Sequence, residues 1–323
     1  MSRLILGVDV GGTSTAAGVV TAEGGDVIGW QSAPTHGAAD PLATMTALIE
    51  GVRKVVGYRA DTIGVVGVGV PGPVDAARGR IGEPVTHVPA LAKRALAAEL
   101  GARLGLPVFV DNDVNALALG EWMFGAGRGK RSLVVLAAGT GIGAGIVLDG
   151  RIVRGATGFG GELGHVPVKF DGPRCFCGGR GCLSVYASGR GVADAARARV
   201  AGNPQAVLVK AAAGDPQGIT APLVFRAAAD GDAMAASIVD EACQAMGAMI
   251  GIIVNGLNPE VVVITGGVAQ SLAPLEPKIL GAAAEYTLPR ALAATRITIV
   301  PGDKRLGVRG AAALALYEER TSS

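Results

Sequence analysis

The residues able to carry chemistry lie in a few short stretches, and the densest is a cluster of cysteines. Three of the four cysteines, Cys175, Cys177 and Cys182, lie within CFCGGRGC, and His165 precedes the first of them by ten residues. Three thiolates and one imidazole can form a tetrahedral zinc site, and the glycines between them let the segment fold tightly around an ion. The spacing therefore predicts zinc ligation; reactive thiols or a chance cluster are the alternatives.

A second stretch, Asp111–Asn112–Asp113, places two carboxylates and an amide directly after an apolar run. Removing such groups from water is costly, so a buried strand end rarely keeps them without a function. A carboxylate at this position can orient a hydroxyl and accept its proton. The alternative is that Asp113 only caps the helix that follows.

A glycine turn follows the first predicted strand. The strand brings Asp9 to its carboxyl end, and Gly11, Gly12 and Thr13 come next. Backbone N–H groups in such a turn can face a polyphosphate, and Asp9 can hold Mg²⁺ directly or through water. The motif lacks the Gly-Lys-Ser/Thr of a P-loop, and a plain hairpin is the alternative.

Two further glycine turns follow strands in the second half of the chain. One contains Thr140 and Gly141, and the other contains Gly266 and Gly267. The Thr140–Gly141 turn repeats the pattern of the turn at Gly11–Thr13. Together these two turns predict a cleft that holds a phosphate chain from both sides. The Gly266–Gly267 turn could accept the adenosine end of a nucleotide.

The elements that position these residues repeat along the chain. A strand–turn–strand–turn–strand pattern occupies residues 4–30 and returns at residues 133–153, which predicts two halves of similar construction. Helices are predicted near residues 90–104 and 184–212. We expect the domain boundary near residues 120–130, in a glycine-rich and basic connection.

The composition excludes several classes of function. The 323 residues carry 29 basic and 27 acidic side chains and few aromatic ones, which argues against a nucleic-acid surface. The apolar runs contain glycines and are shorter than a membrane span, and no secretion signal is visible. We therefore expect a cytoplasmic α/β protein that binds neither nucleic acid nor membrane.

Taken together, these motifs resemble the ROK family of bacterial sugar kinases and repressors. The resemblance rests on DVGGT, GVPGPVD, the ND pair, GTGIGAG, GELGH and the cysteine stretch, and it spans nearly the whole chain. It implies an α/β, two-domain actin-like ATPase (ribonuclease H-like) fold with an interdomain cleft. The implied domains are residues 1–122, completed by a C-terminal helix at 303–323, and residues 123–302 with the zinc-binding loop. It also implies a homodimer or homotetramer.

The resemblance further implies an ATP-dependent kinase for the 6-OH or a similar hydroxyl of a hexose, with Asp113 as general base. The implied sugar-binding residues are Gly72, Asn112, Asp113, Glu162, His165 and Ser184. Those implied for nucleotide binding are Asp9, Gly11, Gly12, Thr13, Thr140, Gly141, Gly266 and Gly267. His165 would also ligate a structural zinc ion with Cys175, Cys177 and Cys182, and Asp9 would bind the magnesium ion that accompanies ATP.

One residue departs from the family pattern. Ser184 occupies the position after GCL where glucose-phosphorylating members usually have glutamate. Serine is shorter and neutral, so the alternative acceptor is an amino sugar or a C7-cyclitol. A non-catalytic sugar sensor is a weaker alternative, because Asp113 and the turns are all present. A repressor is not expected, since the first turn begins at residue 7.

Overall fold

A computed structural model describes residues 3–322 of the chain. The strands are β1 (Leu4–Val10), β2 (Ser14–Thr21), β3 (Gly24–Pro34), β4 (Ile63–Val70), β5 (Val74–Asp75), β6 (Arg80–Ile81), β7 (Val108–Asn112), β8 (Leu133–Ala138), β9 (Ile142–Leu148), β10 (Arg151–Ile152), β11 (Val261–Thr265) and β12 (Arg296–Ile299). The helices are α1 (Pro41–Val56), α2 (Leu96–Leu104), α3 (Asp113–Phe124), α4 (Leu183–Ala187), α5 (Gly189–Val200), α6 (Val207–Ala211), α7 (Ala221–Ala229), α8 (Ala233–Leu257), α9 (Ala269–Leu272), α10 (Glu276–Tyr286), α11 (Pro289–Ala294) and α12 (Lys304–Ser322).

The chain forms two compact units. The first comprises Met1–Leu133, Gly145–Gly161 and Asp303–Ser323, and the second comprises Val134–Ala144 and Glu162–Gly302. Residues 123–133 and 145–161, which the predicted limits place in the second domain, belong to the first compact unit. One reason is that Gly145 lies directly against Val114 and Ala118 of α3, where a Cβ would come within 2.5 Å of either residue.

The first sheet has the order β3-β2-β1-β4-β7. The pairs β1–β2 and β2–β3 are antiparallel, whereas β1–β4 and β4–β7 are parallel. Alternate residues of β1 pack into two different hydrophobic clusters. One cluster includes α1 and contains Leu4, Leu6, Val8 and Val10, and the other includes residues of α12 and contains Ile5. Both faces of β1 are therefore buried, as its nearly continuous apolar sequence indicates.

Helix α12 lies unusually close to the sheet because two glycines face it. Gly7 of β1 and Gly67 of β4 are partners in register. A Cβ at these positions would lie 2.0 Å from the carbonyl oxygen of Val308 and 1.8 Å from that of Ala311. Any side chain there would push the helix off the sheet, so the two glycines set the depth at which α12 packs.

The second sheet has the order β10-β9-β8-β11-β12, which repeats the strand order of the first. The repeated strand–turn–strand pattern of the sequence thus corresponds to two sheets of the same construction. The longest helix, α8, is apolar and long enough to cross a membrane by length and composition, but 67% of its most apolar window is buried inside the protein. It is therefore typical of a core helix.

Two predicted helices are interrupted. Residues 90–104 were expected to be one helix, but α2 begins only at Leu96, because Lys93 has a left-handed backbone with φ of 63°. Residues 184–212 form three helices rather than one. Ser188 has an extended backbone and its Oγ accepts the N–H of Gly191 at 2.9 Å, so it caps a new helix, α5, instead of continuing α4.

Candidate active site

The predicted site residues fall into two groups, one in each compact unit. The first unit holds Asp9, Gly11, Gly12, Thr13, Gly72, Asn112 and Asp113. The second holds Thr140, Gly141, Glu162, His165, Cys175, Cys177, Cys182, Ser184, Gly266 and Gly267.

Asp113 is the first residue of α3 and directly follows β7. Its Oδ1 accepts the N–H of Val114 at 2.9 Å, and its Cα lies against Gly69 of β4, where a Cβ would approach it to 3.3 Å. The side chain is partly buried. A carboxylate at this position can accept a proton from a hydroxyl placed beside it.

The helix cap is Asn112, not Asp113. Asn112 Oδ1 accepts the N–H groups of Val114 and Asn115 at 2.9 and 3.3 Å, and its Nδ2 donates to the carbonyl of Gly72 at 3.1 Å. The structure therefore brings Asn112 and Gly72 together. The second N–H of the Asn112 amide remains available to a ligand, and Asp113 shares only the Val114 N–H with this cap.

Asp9 is the penultimate residue of β1 and faces the first turn of α12. A Cβ added to Gly307 in that turn would lie 2.2 Å from Asp9 Oδ2, so only glycine leaves room for the carboxylate. Burial raises the pKa of Asp9 to about 6. A divalent cation would offset this desolvation, and one carboxylate with open neighbouring positions is the kind of ligand that Mg²⁺ takes alongside phosphates.

The turn after Asp9 is held by Thr35. The N–H of Gly11 donates to Ser14 O at 3.0 Å, Thr35 Oγ1 donates to Gly11 O at 2.6 Å, and the N–H of Thr35 donates to Thr13 O at 3.0 Å. Thr13 itself is exposed. These three hydrogen bonds fix the backbone of the turn, and the Thr13 side chain remains accessible to a ligand.

The glycine turns of the second unit meet one another. The N–H of Gly189 donates to Gly139 O at 2.8 Å, and that of Val268 donates to Ala138 O at 2.9 Å. Gly266 has φ of 101°, a conformation that glycine adopts readily. A cavity of about 620 Å³ lies here, with Thr140 and Gly267 among its lining residues.

The sequence did not predict several residues of this cavity. They come from the start of α5 and from the residues around the start of α7, and they are Gly189, Arg190, Ala193, Arg197, Thr220, Ala221 and Pro222. The N–H of Arg190 donates to Thr140 O at 3.1 Å, which fixes the turn from this side. The available signal was the N-cap Ser188 followed by glycine, which marks a helix N-terminus.

The four predicted zinc ligands converge. One ligand atom from each of His165, Cys175, Cys177 and Cys182 lies within 4.8 Å of the other three. Cys177 Sγ and Cys182 Sγ are 3.8 Å apart, and His165 Nδ1 is 3.6 Å from Cys175 Sγ. With Zn–S bonds of about 2.3 Å, tetrahedral sulfurs are separated by about 3.8 Å, so these side chains fit a zinc ion.

The thiols of the cysteine cluster differ in acidity. The N–H of Gly179 lowers the pKa of Cys177, whereas burial raises that of Cys182 to about 12. Phe176, between the first two cysteines, stacks edge-on against the His165 ring at 5.1 Å and lies under the Arg190 guanidinium at 5.4 Å. The metal cluster and the wall of the cavity therefore contact the same ring.

Glu162 and Ser184 differ in exposure. Glu162 is exposed, just before the turn that contains His165. Ser184 is 3% exposed, and its Oγ has no hydrogen-bond partner in the described part of the chain. This Oγ lies against Gly164, where a Cβ would approach it to 2.9 Å, so Ser184 packs beside the residue that precedes His165.

A model of the ROK family matches residues 5–318. The chain belongs to the ROK family. The glucokinase of Thermotoga maritima is 33% identical over 324 residues, which cover 96% of each protein. The resemblance seen in the motifs is thus confirmed over nearly the whole chain.

Two solved structures are similar in fold and sequence. A ROK family glucokinase from Streptomyces griseus, in complex with glucose and AMPPNP, has a TM-score of 0.78 and 31% identity, covering 97% of this chain and 99% of that one. A ROK hexokinase from Thermus thermophilus has a TM-score of 0.81 and 32% identity, covering 99% and 100%. The predicted α/β fold of the actin-like ATPase type is confirmed.

Proposed function

We propose that this protein is an ATP-dependent hexose kinase in which Asp113 is the general base. The observation that carries the proposal is the position of Asp113, a carboxylate at the end of a buried parallel strand and at the start of a helix that Asn112 caps. Family membership and the glucokinases and hexokinase among the similar proteins support the reaction.

In the proposed reaction, Asp113 accepts the proton of a sugar hydroxyl, whose oxygen attacks the γ-phosphorus of ATP while ADP leaves. Such a transfer depends on alignment and charge neutralisation more than on covalent catalysis. Asn112 and Gly72 would orient the sugar, together with Glu162, His165 and Ser184. The first-unit turn at Gly11–Thr13 would contact the phosphates.

The turn at Thr140–Gly141 would also contact the phosphates, and the 620 Å³ cavity beside Gly266 and Gly267 would receive the adenosine. Mg²⁺ bound with ATP would neutralise phosphate charge, and Asp9 would hold it. Zinc would fix the loop of Cys175–Cys182 together with His165. Cytoplasmic location and assembly into a homodimer or homotetramer stay predictions.

The acceptor is proposed to be a plain hexose. Ser184 suggests a modified sugar or a cyclitol, but the three relatives described above are named as glucokinases or a hexokinase, which does not favour that alternative. The buried Ser184 hydroxyl offers no charged group to a substituent.

A coupled ADP-release assay with ATP and Mg²⁺ tests the proposal on glucose, mannose, N-acetylmannosamine and N-acetylglucosamine. Asp113→Asn keeps the shape of the side chain and removes the base, so turnover should fall by about 10²–10⁴-fold. Asp26→Asn, at an exposed position in β3, is the matched control and should retain full turnover. Equal turnover by wild type and Asp113→Asn would refute the role of the base, and no turnover on any acceptor would refute the kinase.

A further inference from the structure

A buried carboxylate lies two residues before the proposed base. Asp111 is 1% exposed at the end of β7, and both of its oxygens are used. Oδ1 accepts the N–H of Asn112 at 2.7 Å and the Nδ2 of Asn115 at 3.1 Å, while Oδ2 accepts from Arg154 Nε at 2.7 Å. One side chain thus holds the residues on both sides of Asp113.

Arg154 supplies the charge that Asp111 needs. It lies after β10, 43 residues from Asp111 in sequence, and its side chain is 25% exposed. Its Nη2 donates to Glu318 of α12, and its guanidinium lies 5.9 Å from the centre of the Tyr317 ring. The guanidinium is therefore fixed on three sides and presents Nε to the carboxylate.

Without this partner the Asp111 carboxylate would be an uncompensated buried charge, which a protein relieves by moving the group or protonating it. Either change weakens the bonds to the Asn112 N–H and to the Asn115 amide. The start of α3 would then lose two hydrogen bonds beside the Asn112 cap, and the direction of the Asp113 carboxylate would be less tightly fixed. A misplacement of about 1 Å can cost about 10²-fold in rate.

We propose that Arg154 is a positioning residue that acts through Asp111 to fix the orientation of Asp113. The inference rests on the proposed function only for its kinetic readout. It assigns to Arg154 a role in the chemical step rather than in substrate binding, so kcat should depend on it more strongly than KM.

The test compares Arg154→Met with Arg3→Met. Arg3 pairs with Glu319, the neighbour of Glu318 on α12, at 2.6 Å, so its replacement also removes an arginine–glutamate pair of that helix but does not reach α3. Arg154→Met should lower kcat by about 10–100-fold with the KM for glucose within about threefold. Arg3→Met should leave both constants within about twofold, since an exposed pair contributes little.

A double variant separates positioning from loss of structure. In Asp111→Asn/Arg154→Met the buried charge next to Asp113 is removed together with its partner, and the amide oxygen can still accept the Asn112 N–H; Glu318 loses Arg154 in the single and the double variant alike. Its kcat should therefore exceed that of Arg154→Met alone, by about tenfold if most of the loss comes from the uncompensated charge. Asp111→Asn alone supplies the second single loss, and a double variant that shows only the product of the two single losses would overturn the proposal.

Amide hydrogen exchange in the segment 112–116 gives a readout that needs no substrate. It should accelerate in Arg154→Met and not in Arg3→Met, whatever the enzyme phosphorylates. Unchanged exchange in Arg154→Met would overturn the positioning role. Faster exchange in a protein without hexose kinase activity would instead refute only the proposed function.

Discussion

Replacing Gly307 with alanine tests the packing of Asp9 against α12. The added Cβ would lie 2.2 Å from Asp9 Oδ2 and 2.4 Å from its Cγ, well inside van der Waals contact. Because Asp9 is fixed at the end of β1, the carboxylate or the helix must move. Such overpacking costs about 1–3 kcal/mol, while the change from glycine to alanine in a helix returns about 0.5–1 kcal/mol. The expected net effect is a loss of about 1–2 kcal/mol.

Gly51→Ala is the matched control in the same compact unit. Gly51 lies within α1, and the nearest atom to an added Cβ is Gln31 Cγ at 3.6 Å, an ordinary contact. The free energy of unfolding of Gly51→Ala should therefore rise by about 0.5–1 kcal/mol from helix propensity alone. Urea unfolding followed by tryptophan fluorescence measures both variants, since Trp30 and Trp122 both belong to this unit.

The difference between the two variants isolates the contact with Asp9, and it should be about 1.5–3 kcal/mol. In an Asp9→Ala background the carboxylate is gone, so Gly307→Ala should become nearly neutral or stabilising. A Gly307→Ala variant as stable as Gly51→Ala would refute the reasoning, because the carboxylate would then not lie against the first turn of α12.

Three further predictions concern other parts of the molecule. Elemental analysis should find about one zinc ion per wild-type chain and almost none in Cys182→Ser, which lacks one of four ligands; equal zinc in both would exclude this site. In buffer with EDTA, Asp9→Asn should gain stability over wild type as the pH rises from the ordinary pKa of 3.8 through about 6, because burial raises the folded-state pKa of Asp9. The gain, measured by urea unfolding, should reach about 2–3 kcal/mol at high pH and vanish at low pH; a pH-independent difference would contradict it. Arg94→Ala should cost about 1 kcal/mol in the same assay, since Arg94 bonds Asp40, the cap of α1, and Glu99 of α2 on a half-exposed surface; the loss should shrink in high salt.

The parts of the site that could be predicted are those in which neighbouring residues act together. The four candidate metal ligands lie within 18 residues, and their spacing predicted a cluster of the side chains that the structure brings together. The Asp111–Asp113 stretch and the glycine turns follow apolar strands, so their place at strand ends was readable from the sequence.

The parts that could not be predicted depend on residues far apart in the chain. No local pattern relates Arg154 to Asp111, or Gly307 to Asp9, because these contacts exist only after β10 and α12 have packed in the first unit. Ser188 was a local signal for the end of the predicted helix. The helical spacing of apolar residues on both sides of it outweighed that signal. A serine followed by glycine can either continue a helix or cap a new one, and tertiary contacts decide between the two.

Helix α12, which packs on Gly7 and Gly67, is synthesised long after the sheet that it covers. Gly7 and Gly67 face a helix that begins at Lys304, so one side of the first sheet has no cover until that helix has been made. The segments of the second unit are translated in the meantime. At about 5–20 residues per second, the ribosome needs roughly 10–50 s to go from β4 to α12. During this interval the first sheet exposes an apolar face, so the nascent chain, rather than the finished protein, is the form most dependent on chaperones.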